Sequence, residues 1–320
     1  MGEPVRVLEV IEETPDAKSL VLELPADWTY RPGQFLTVRV GDAARSYSLS
    51  SSPFTGELPK ITVKRVVDGY GSNWICDNAV AGSVLEFLRP GGVFTPDSLD
   101  RDLLLFAGGS GITPVISILK SALHQGSGHI VLVYANRDQQ SIIFAKELAE
   151  LTAARPDRLK VVHWLDCDQG APTVAALQSL IEPYTSYETF VCGPDPFMDA
   201  IKKVAGEAVH IEQFTSLIDN PFAARPVSDK CARVEVEIDN QTYHFDWPVQ
   251  TKLLDLLLDK GINAPFSCRQ GTCGACACRI VSGEVKLLNN EILEEEDFAE
   301  NYILACQAVP LTDDVSVTYY

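Results

Sequence analysis

The chain has 320 residues, 46% of them hydrophobic and 22% charged, and its formal net charge is −18 at pH 7. Such a length and composition are typical of a folded protein with two or three domains. The negative charge argues against a nucleic-acid-binding protein, since a phosphate backbone attracts a basic face, and no apolar run reaches the roughly 18 residues that span a membrane.

Short strand-like runs separated by turn residues fill the first third of the chain. They lie at 5–11, 19–24, 34–40, 61–66 and 84–88. Most of these runs have no helix between them, so the pattern predicts a small antiparallel β-barrel over residues 1–99.

Two polar strings fall within the predicted barrel. In Arg45-Ser46-Tyr47-Ser48, the arginine offers a planar cationic fork that suits a pyrophosphate, although a solvated strand edge would also explain it. In Gly71-Ser72, the serine is positioned to cap a helix that begins near Asn73. Because a helix N-terminus supplies free N–H groups, the two strings together predict an anion site.

From residue 100 onward, strand-like runs alternate with helical segments. The runs lie at 103–107, 130–135, 159–164 and 189–192. This alternation predicts a parallel α/β sheet over residues 100–217. A linker is expected at 218–230, where Asp219-Asn220-Pro221 breaks the pattern.

The ends of these predicted strands hold a second group of candidate residues. Gly109-Ser110-Gly111-Ile112-Thr113-Pro114 follows the first strand, and its glycines would let the backbone approach a pyrophosphate, a tight strand–helix turn being the alternative. Cys192-Gly193-Pro194 ends a later strand, and ligands of parallel sheets gather at such carboxyl ends. Asn136 and Arg137 end the second strand. Because Asp138 follows this single arginine, a 2′-phosphate would bind poorly and the pattern favours NADH.

Four cysteines near the C-terminus have the spacing of a plant-type [2Fe–2S] loop. Three follow C-x4-C-x2-C and the fourth is distant: Cys268, Cys273, Cys276 and Cys306. A zinc site or disulfides are the alternatives, but zinc sites usually repeat C-x2-C pairs and the outer spacing here differs. Cys278 is interpreted as a small buried filler. A hairpin at 234–245 and a helix near 253–258 complete a predicted α+β domain over residues 231–320.

The strings before the cysteines resemble the ferredoxin–NADP⁺ reductase superfamily. The resemblance implies that a flavin is held by Arg45, Ser46, Tyr47, Ser48, Val63, Lys64, Gly71 and Ser72. It places Tyr47 against the isoalloxazine and Ser48 near its reactive edge, while an ordinary surface charge is the alternative for Lys64. The likeness of 62–65 and 69–74 to the FAD-binding members favours FAD over FMN.

The same resemblance implies that the glycine-rich string and Cys192-Gly193-Pro194 face one another and hold the nicotinamide and diphosphate. Cys192 would then lie beside the nicotinamide C4, a buried packing cysteine being the alternative. Phe214 would lie near the flavin, and a core phenylalanine is the alternative there. The C-terminal domain would be a β-grasp-like ferredoxin.

The order of flavin, nicotinamide and cluster is similar to that of the reductase components of bacterial oxygenases. The phthalate dioxygenase, phenylacetyl-CoA epoxidase and 3-ketosteroid 9α-hydroxylase reductase groups share it. The resemblance implies electron transfer from NADH through FAD and the [2Fe–2S] cluster to a terminal oxygenase, of the Rieske type in the last group. The alternatives are a reductase for a diiron monooxygenase and a redox-sensing protein without turnover.

Two further expectations come from cysteine usage and charge. The start of the chain has no secretion signal and five of the nine cysteines are scattered, which suits a reducing compartment and predicts a cytoplasmic protein. Six acidic residues fall within 291–300, just before Cys306. They predict either a solvated surface or a steering surface for a basic partner.

Overall fold

The computed structural model describes residues 2–206, 208–223, 228 and 230–320. Within them the chain forms two compact units, Gly2–Ser216 and Leu217–Tyr320. The predicted linker at 218–230 lies partly outside the described residues, at 224–227 and 229. The domain boundaries given above therefore stay predictions.

The first part of the Gly2–Ser216 unit is an antiparallel barrel of six strands. These are β1 (Glu3–Thr14), β2 (Ala17–Glu23), β3 (Phe35–Val40), β4 (Ala43–Ser48), β5 (Lys60–Lys64) and β6 (Val84–Phe87), in the order β4-β3-β6-β1-β2-β5. A bridge between Leu49 and Ile61 joins the two edges of this sheet. Alternate side chains of the strands point inward, as in Val5 and Val7, and fill the barrel with aliphatic groups. Helix α1 (Tyr70–Asn78) follows β5.

A parallel sheet of five strands forms the rest of this unit. Its strands are β7 (Leu103–Gly108), β8 (Ile130–Asn136), β9 (Leu159–Leu165), β10 (Glu188–Cys192) and β11 (Val209–Glu212), in the order β11-β10-β7-β8-β9. Its helices are α2 (Ile112–Gln125), α3 (Ala145–Ala154), α4 (Asp166–Gln169), α5 (Val174–Ile181) and α6 (Asp195–Ala205). Apolar clusters cover both faces of the sheet, which explains why its central strands are hydrophobic throughout. The order brings the carboxyl ends of β7, β8 and β10 side by side.

A buried lysine connects the barrel to the parallel sheet. The Lys120 side chain in α2 is only 5% exposed, and its ammonium donates to Glu57 at 2.8 Å and to Glu147 at 2.9 Å. Burial acts to raise the pKa of Glu57, but the Lys120 charge together with hydrogen bonds from Lys120, Ser52 and Thr55 lowers it overall. One turn earlier, the Ser117 hydroxyl donates to the Ser51 carbonyl at 2.7 Å. These contacts fix the barrel against the helix that follows the glycine-rich turn.

The Leu217–Tyr320 unit is a mixed sheet with short helices. Five strands, β12 (Cys231–Ile238), β13 (Gln241–Pro248), β14 (Ala277–Ser282), β16 (Tyr302–Leu304) and β18 (Asp314–Thr318), pair in the order β13-β12-β18-β14-β16. Strands β15 (Val285–Leu287) and β17 (Ala308–Pro310) form a separate pair, and the helices are α7 (Leu253–Asp259) and α8 (Glu295–Ala299). The predicted hairpin is confirmed, with Asp239 and Asn240 at φ 53° and 58°, as a type I′ turn requires. No helix in the described part of the chain has both the length and the apolar character needed to cross a membrane.

Candidate functional site

The four predicted cluster cysteines converge as two pairs. A hydrogen bond from Cys273 lowers the pKa of Cys268 to about 4, and a hydrogen bond from Cys276 likewise lowers the pKa of Cys306. Within the residues described, no three cysteine, histidine, aspartate or glutamate side chains are grouped around one metal position. Two pairs of thiols nevertheless fit a two-iron cluster, because each iron takes two cysteine ligands.

The backbone around these thiols is shaped for close approach to sulfur. The Gln270 N–H points at Cys268 Sγ at 3.3 Å, and the Cys306 N–H points at Cys276 Sγ at 3.4 Å. Gly271 has φ +83°, and a Cβ there would lie 2.8 Å from the Asn289 carbonyl oxygen, so only glycine fits. Cys276 and Cys306 are buried whereas Cys273 is exposed, which leaves one edge of the loop open to solvent.

Cys278 differs from the four candidate ligands. Its side chain is almost fully buried, and burial raises the pKa of its thiol to about 12. It lies within strand β14, where it pairs with Ile303 of β16, outside the two thiol pairs of the loop. Its placement therefore supports the interpretation as a packing residue.

The two polar strings of the barrel meet at the start of α1. A Cβ at Gly71 would lie 2.6 Å from Arg45 Cγ, so the arginine side chain lies directly over this buried glycine. Tyr47 packs on the barrel core, where burial raises its pKa, and Ser48 is nearly inaccessible. The Ser46 hydroxyl instead contacts the Thr37 hydroxyl of the neighbouring strand at 3.1 Å. The contact between Arg45 and Gly71 thus brings the two strings together at the first turn of α1.

The predicted start of the helix in this region is corrected by the structure. Helix α1 begins at Tyr70 with Gly69 as its N-cap, because the Asn73 N–H already bonds to the Gly69 carbonyl, so Ser72 is not the cap. The Ser72 hydroxyl accepts from the Val66 N–H at 3.2 Å and donates to the Gly69 carbonyl at 3.4 Å. The first-turn N–H groups thus remain available to an anion.

Val63 and Lys64 have different environments. The Val63 side chain is fully buried in the barrel core, so it could offer a phosphate path only main-chain atoms. Lys64 Nζ lies 3.6 Å from the position that a Cβ would take at Gly109, and 3.9 Å from Asp16 Oδ2. Burial lowers the pKa of this ammonium, an effect that Asp16 opposes. Lys64 is therefore not an ordinary surface charge.

The glycine-rich turn and the 192–194 turn touch through their backbones. A Cβ at Gly111 would lie 2.0 Å from the Cys192 carbonyl oxygen, and one at Gly193 would lie 3.0 Å from the Gly108 Cα. Gly109–Gly111 form a single 3₁₀ turn that leads into α2, whose first turn contains Thr113 and Pro114. The Thr113 hydroxyl donates to the Ser110 carbonyl at 3.1 Å. The sequence strings predicted to face one another do so.

An unsatisfied amide marks the end of β8. Asn136 is 5% exposed, and neither its nitrogen nor its oxygen has a hydrogen-bond partner. The nearby Tyr134 hydroxyl donates to the Gly109 carbonyl at 3.1 Å, and burial raises its pKa overall, although its proximity to the Asn136 side chain acts to lower that pKa. Leaving a buried amide unpaired costs about 1–3 kcal/mol per group, so this position fits a ligand with both donor and acceptor atoms. A nucleotide ribose and base carry such atoms.

The surroundings of Arg137 differ from the prediction. Its guanidinium pairs with Asp16 at 3.0 Å, in the turn between β1 and β2, and not with Asp138. The Asp138 carboxylate accepts from the Ser141 N–H at 2.9 Å and caps the short 3₁₀ turn Gln139–Ser141. The charge that faces Arg137 thus comes from the barrel.

Three further candidate side chains lie at or just after the ends of β10 and β11. Cys192 is fully buried, and burial together with the Glu212 carboxylate raises the pKa of its thiol. Glu212, which pairs with Cys192 across β10 and β11, is also buried and was missed by the sequence interpretation. A lone acidic residue inside His-Ile-Glu-Gln-Phe, at the end of a strand, was the available signal. Phe214 is 49% exposed, so the core alternative is wrong.

Comparisons with known proteins agree with this arrangement. Residues 105–203 match the oxidoreductase NAD-binding domain, and residues 236–311 match the 2Fe-2S iron-sulfur cluster binding domain. The chain is 51% identical to the ferredoxin reductase component of 3-ketosteroid-9-alpha-monooxygenase from Rhodococcus rhodochrous, covering 98% of this chain and 95% of that protein. It is 30% identical to one component of the Escherichia coli 1,2-phenylacetyl-CoA epoxidase, covering 98% and 96%.

A solved structure shows the same fold. Phthalate dioxygenase reductase matches with a TM-score of 0.61 at 24% identity, over 99% of this chain and 98% of that one. The predicted fold class is confirmed: an antiparallel barrel, a parallel α/β sheet and a C-terminal ferredoxin domain.

Proposed function

Because the chain belongs to the family of oxygenase reductase components that contains the 3-ketosteroid-9-alpha-monooxygenase reductases, we propose that it supplies electrons to such an oxygenase. The chain is an NADH-dependent oxidoreductase with a [2Fe–2S] domain. The steroid assignment rests on 51% identity over 98% of the chain, compared with 30% to the epoxidase component. The terminal oxygenase that this protein serves is then a Rieske enzyme acting on a 3-ketosteroid.

The observation that carries the electron-transfer role is the presence of a nucleotide site and a cluster site on one chain. When bound, a flavin lets a two-electron hydride donor supply a one-electron acceptor. Arg45 and the first-turn N–H groups of α1 are placed to hold its pyrophosphate. The backbones at Gly111 and Cys192 pack directly on each other, which holds the two turns of the dinucleotide site together, and Asn136 offers its amide to the ribose end. The four cysteines hold the cluster as thiolates.

The buried Cys192–Glu212 pair supports a role for Cys192 beyond simple packing. The carbonyl of Cys192 packs against Gly111, and Glu212 places a carboxylate next to Cys192 on the neighbouring strand. In our proposal, these two residues keep water from the nicotinamide side of the site, with Ser48 on the barrel side. We assign the protein to the cytoplasm, where a reducing environment keeps the nine cysteines free of disulfide bonds.

We expect the protein to support steroid hydroxylation only together with the matching oxygenase. Purified protein, NADH, a 3-ketosteroid and the terminal component of a 3-ketosteroid-9-alpha-monooxygenase should give steroid-dependent oxygen uptake. As a control, the catalytic components of a phenylacetyl-CoA epoxidase with their own substrate should give little uptake. Faster turnover with the epoxidase would contradict the steroid assignment and favour the diiron alternative. Failure to reduce cytochrome c with NADH would instead favour a protein without turnover.

We also expect the bound flavin to be FAD. FMN ends in one phosphate, whereas FAD has a pyrophosphate that can use both Arg45 and the α1 N-terminus, which meet at Gly71. Heat release of the flavin followed by chromatography against FAD and FMN standards identifies it. Recovery of FMN from freshly purified protein would contradict the assignment of FAD.

A further inference from the structure

The turn between β1 and β2 brings a carboxylate to the nucleotide side of the Gly2–Ser216 unit. Asp16 Oδ2 lies 3.0 Å from Arg137 Nη2 and 3.9 Å from Lys64 Nζ. Arg137 directly follows Asn136, whose unpartnered amide ends β8, and Lys64 reaches the glycine-rich turn at Gly109. One acidic side chain thus faces both cations at the sheet end where the dinucleotide is proposed to bind.

Asp16 is held in this position by its own neighbours. Its Oδ1 accepts from the Thr14 hydroxyl at 2.7 Å, and its carbonyl accepts from the Arg65 N–H at 2.8 Å, next to the β2–β5 ladder. Arg137, in contrast, has a 68% exposed side chain. An ion pair with so exposed a partner contributes little to the stability of the fold. Its effect is therefore expected on the charge that a ligand meets near Arg137.

We propose that Asp16 is a specificity-determining residue that makes the site prefer NADH to NADPH. This inference rests on the proposed function, in which the adenosine ribose lies at the end of β8. NADPH carries a dianionic phosphate on that ribose, which needs charge-assisted donors. Arg137 is the cation next to Asn136. Asp16 forms an ion pair with Arg137, so the guanidinium is not free to bind the phosphate, and the Asp16 carboxylate also repels the phosphate. The Asp138 carboxylate accepts from the Ser141 N–H, whereas the ion pair with Arg137 is formed by Asp16.

The substitution Asp16→Asn removes the charge and keeps an oxygen that can accept from Thr14. We expect the ratio of kcat/KM for NADPH to that for NADH to rise about tenfold, the effect of one charge-assisted hydrogen bond. The change should fall mainly on the KM for NADPH, because the ribose phosphate is remote from the reacting atoms. Adding Arg137→Ala to the Asp16→Asn protein should cancel the gain.

A matched control is Glu12→Gln, which removes one carboxylate from the same hairpin. Glu12 pairs with Lys18 at 2.8 Å, so its loss alters the net charge equally without touching Arg137. This variant should keep the wild-type ratio. A readout without turnover is calorimetric binding of adenosine 2′,5′-bisphosphate compared with AMP, where Asp16→Asn should strengthen only the former.

Two results would overturn the inference. If the NADPH-to-NADH ratio and the binding of adenosine 2′,5′-bisphosphate both stayed at wild-type values in Asp16→Asn, Asp16 would not determine specificity. If Glu12→Gln raised the ratio as much as Asp16→Asn, net charge and not position would be responsible. A wild-type protein that failed to oxidise NADH with ferricyanide would instead overturn the proposed function on which the inference rests.

Discussion

The substitution Cys273→Ser is expected to abolish the [2Fe–2S] absorbance and NADH-driven oxygenase turnover, while NADH–ferricyanide activity is retained. Cys273 pairs with Cys268, and a serine hydroxyl is a poor replacement for a thiolate. Loss of an outer-sphere partner alone costs about 10–100-fold in metal affinity, so loss of a direct ligand costs more. Ferricyanide reduction should persist because the residues proposed to bind the flavin and the nicotinamide all lie in the Gly2–Ser216 unit, away from the substituted cysteine in the sequence.

The matched control is Cys231→Ser, which changes an exposed cysteine at the start of β12 in the same unit. It should keep the cluster spectrum and full turnover. Iron and sulfide analysis, visible absorbance and oxygenase-coupled assays check all variants. If Cys273→Ser lost ferricyanide activity while keeping its flavin, the cluster would have to precede the ferricyanide-reducing site, contrary to our proposed electron order.

The substitution Gly111→Ala is expected to lower kcat/KM for NADH by about a hundredfold, since displacements near 1 Å in a reactive site have effects of this size. The new Cβ would lie 2.0 Å from the Cys192 carbonyl oxygen and 2.8 Å from the Gly193 nitrogen. Both are backbone atoms, so the two turns must separate. Stopped-flow reduction of the flavin by NADH measures the loss directly.

Gly109→Ala is the control in the same turn. Its Cβ would meet only Lys64 Nζ, at 3.6 Å, so the cost is that of an alanine at φ +52°, about 1–2 kcal/mol. Its effect on NADH should be clearly smaller than that of Gly111→Ala. Equal losses in both variants, with flavin and cluster content intact, would show that backbone strain and not contact with Cys192 limits this turn.

The features that the sequence predicted are those encoded within short segments. The cysteine spacing, the glycine-rich turn and the hairpin at Asp239-Asn240 depend on local backbone geometry, and the hairpin is confirmed. The fold class and the electron-transfer function are also confirmed. The individual flavin, nucleotide and cluster ligands stay predictions, as do the domain boundaries.

The features that the sequence did not predict depend on contacts between distant segments. Asp16 and Arg137 are 121 positions apart, so Asp138 was the only visible counter-charge. Glu212 meets Cys192 only because β10 and β11 are neighbours in the sheet. The misplaced start of α1 had a local cause, since a glycine N-cap gives a weaker signal than serine.

The buried ammonium of Lys120 limits how relatives of this protein can be recombined. This ammonium forms one ion pair with Glu147, in the parallel-sheet part of the unit, and another with Glu57, in the barrel part. A chimera joining one barrel to another parallel sheet could bring Lys120 without Glu57, which would leave Glu147 as the remaining counter-charge of the buried ammonium. Removing one partner from a buried ion-pair network is destabilising, because the remaining charge is less well compensated. Exchanging Gly2–Ser216 whole preserves the match. A crossover between barrel and sheet therefore requires positions 57 and 120 to be inherited together.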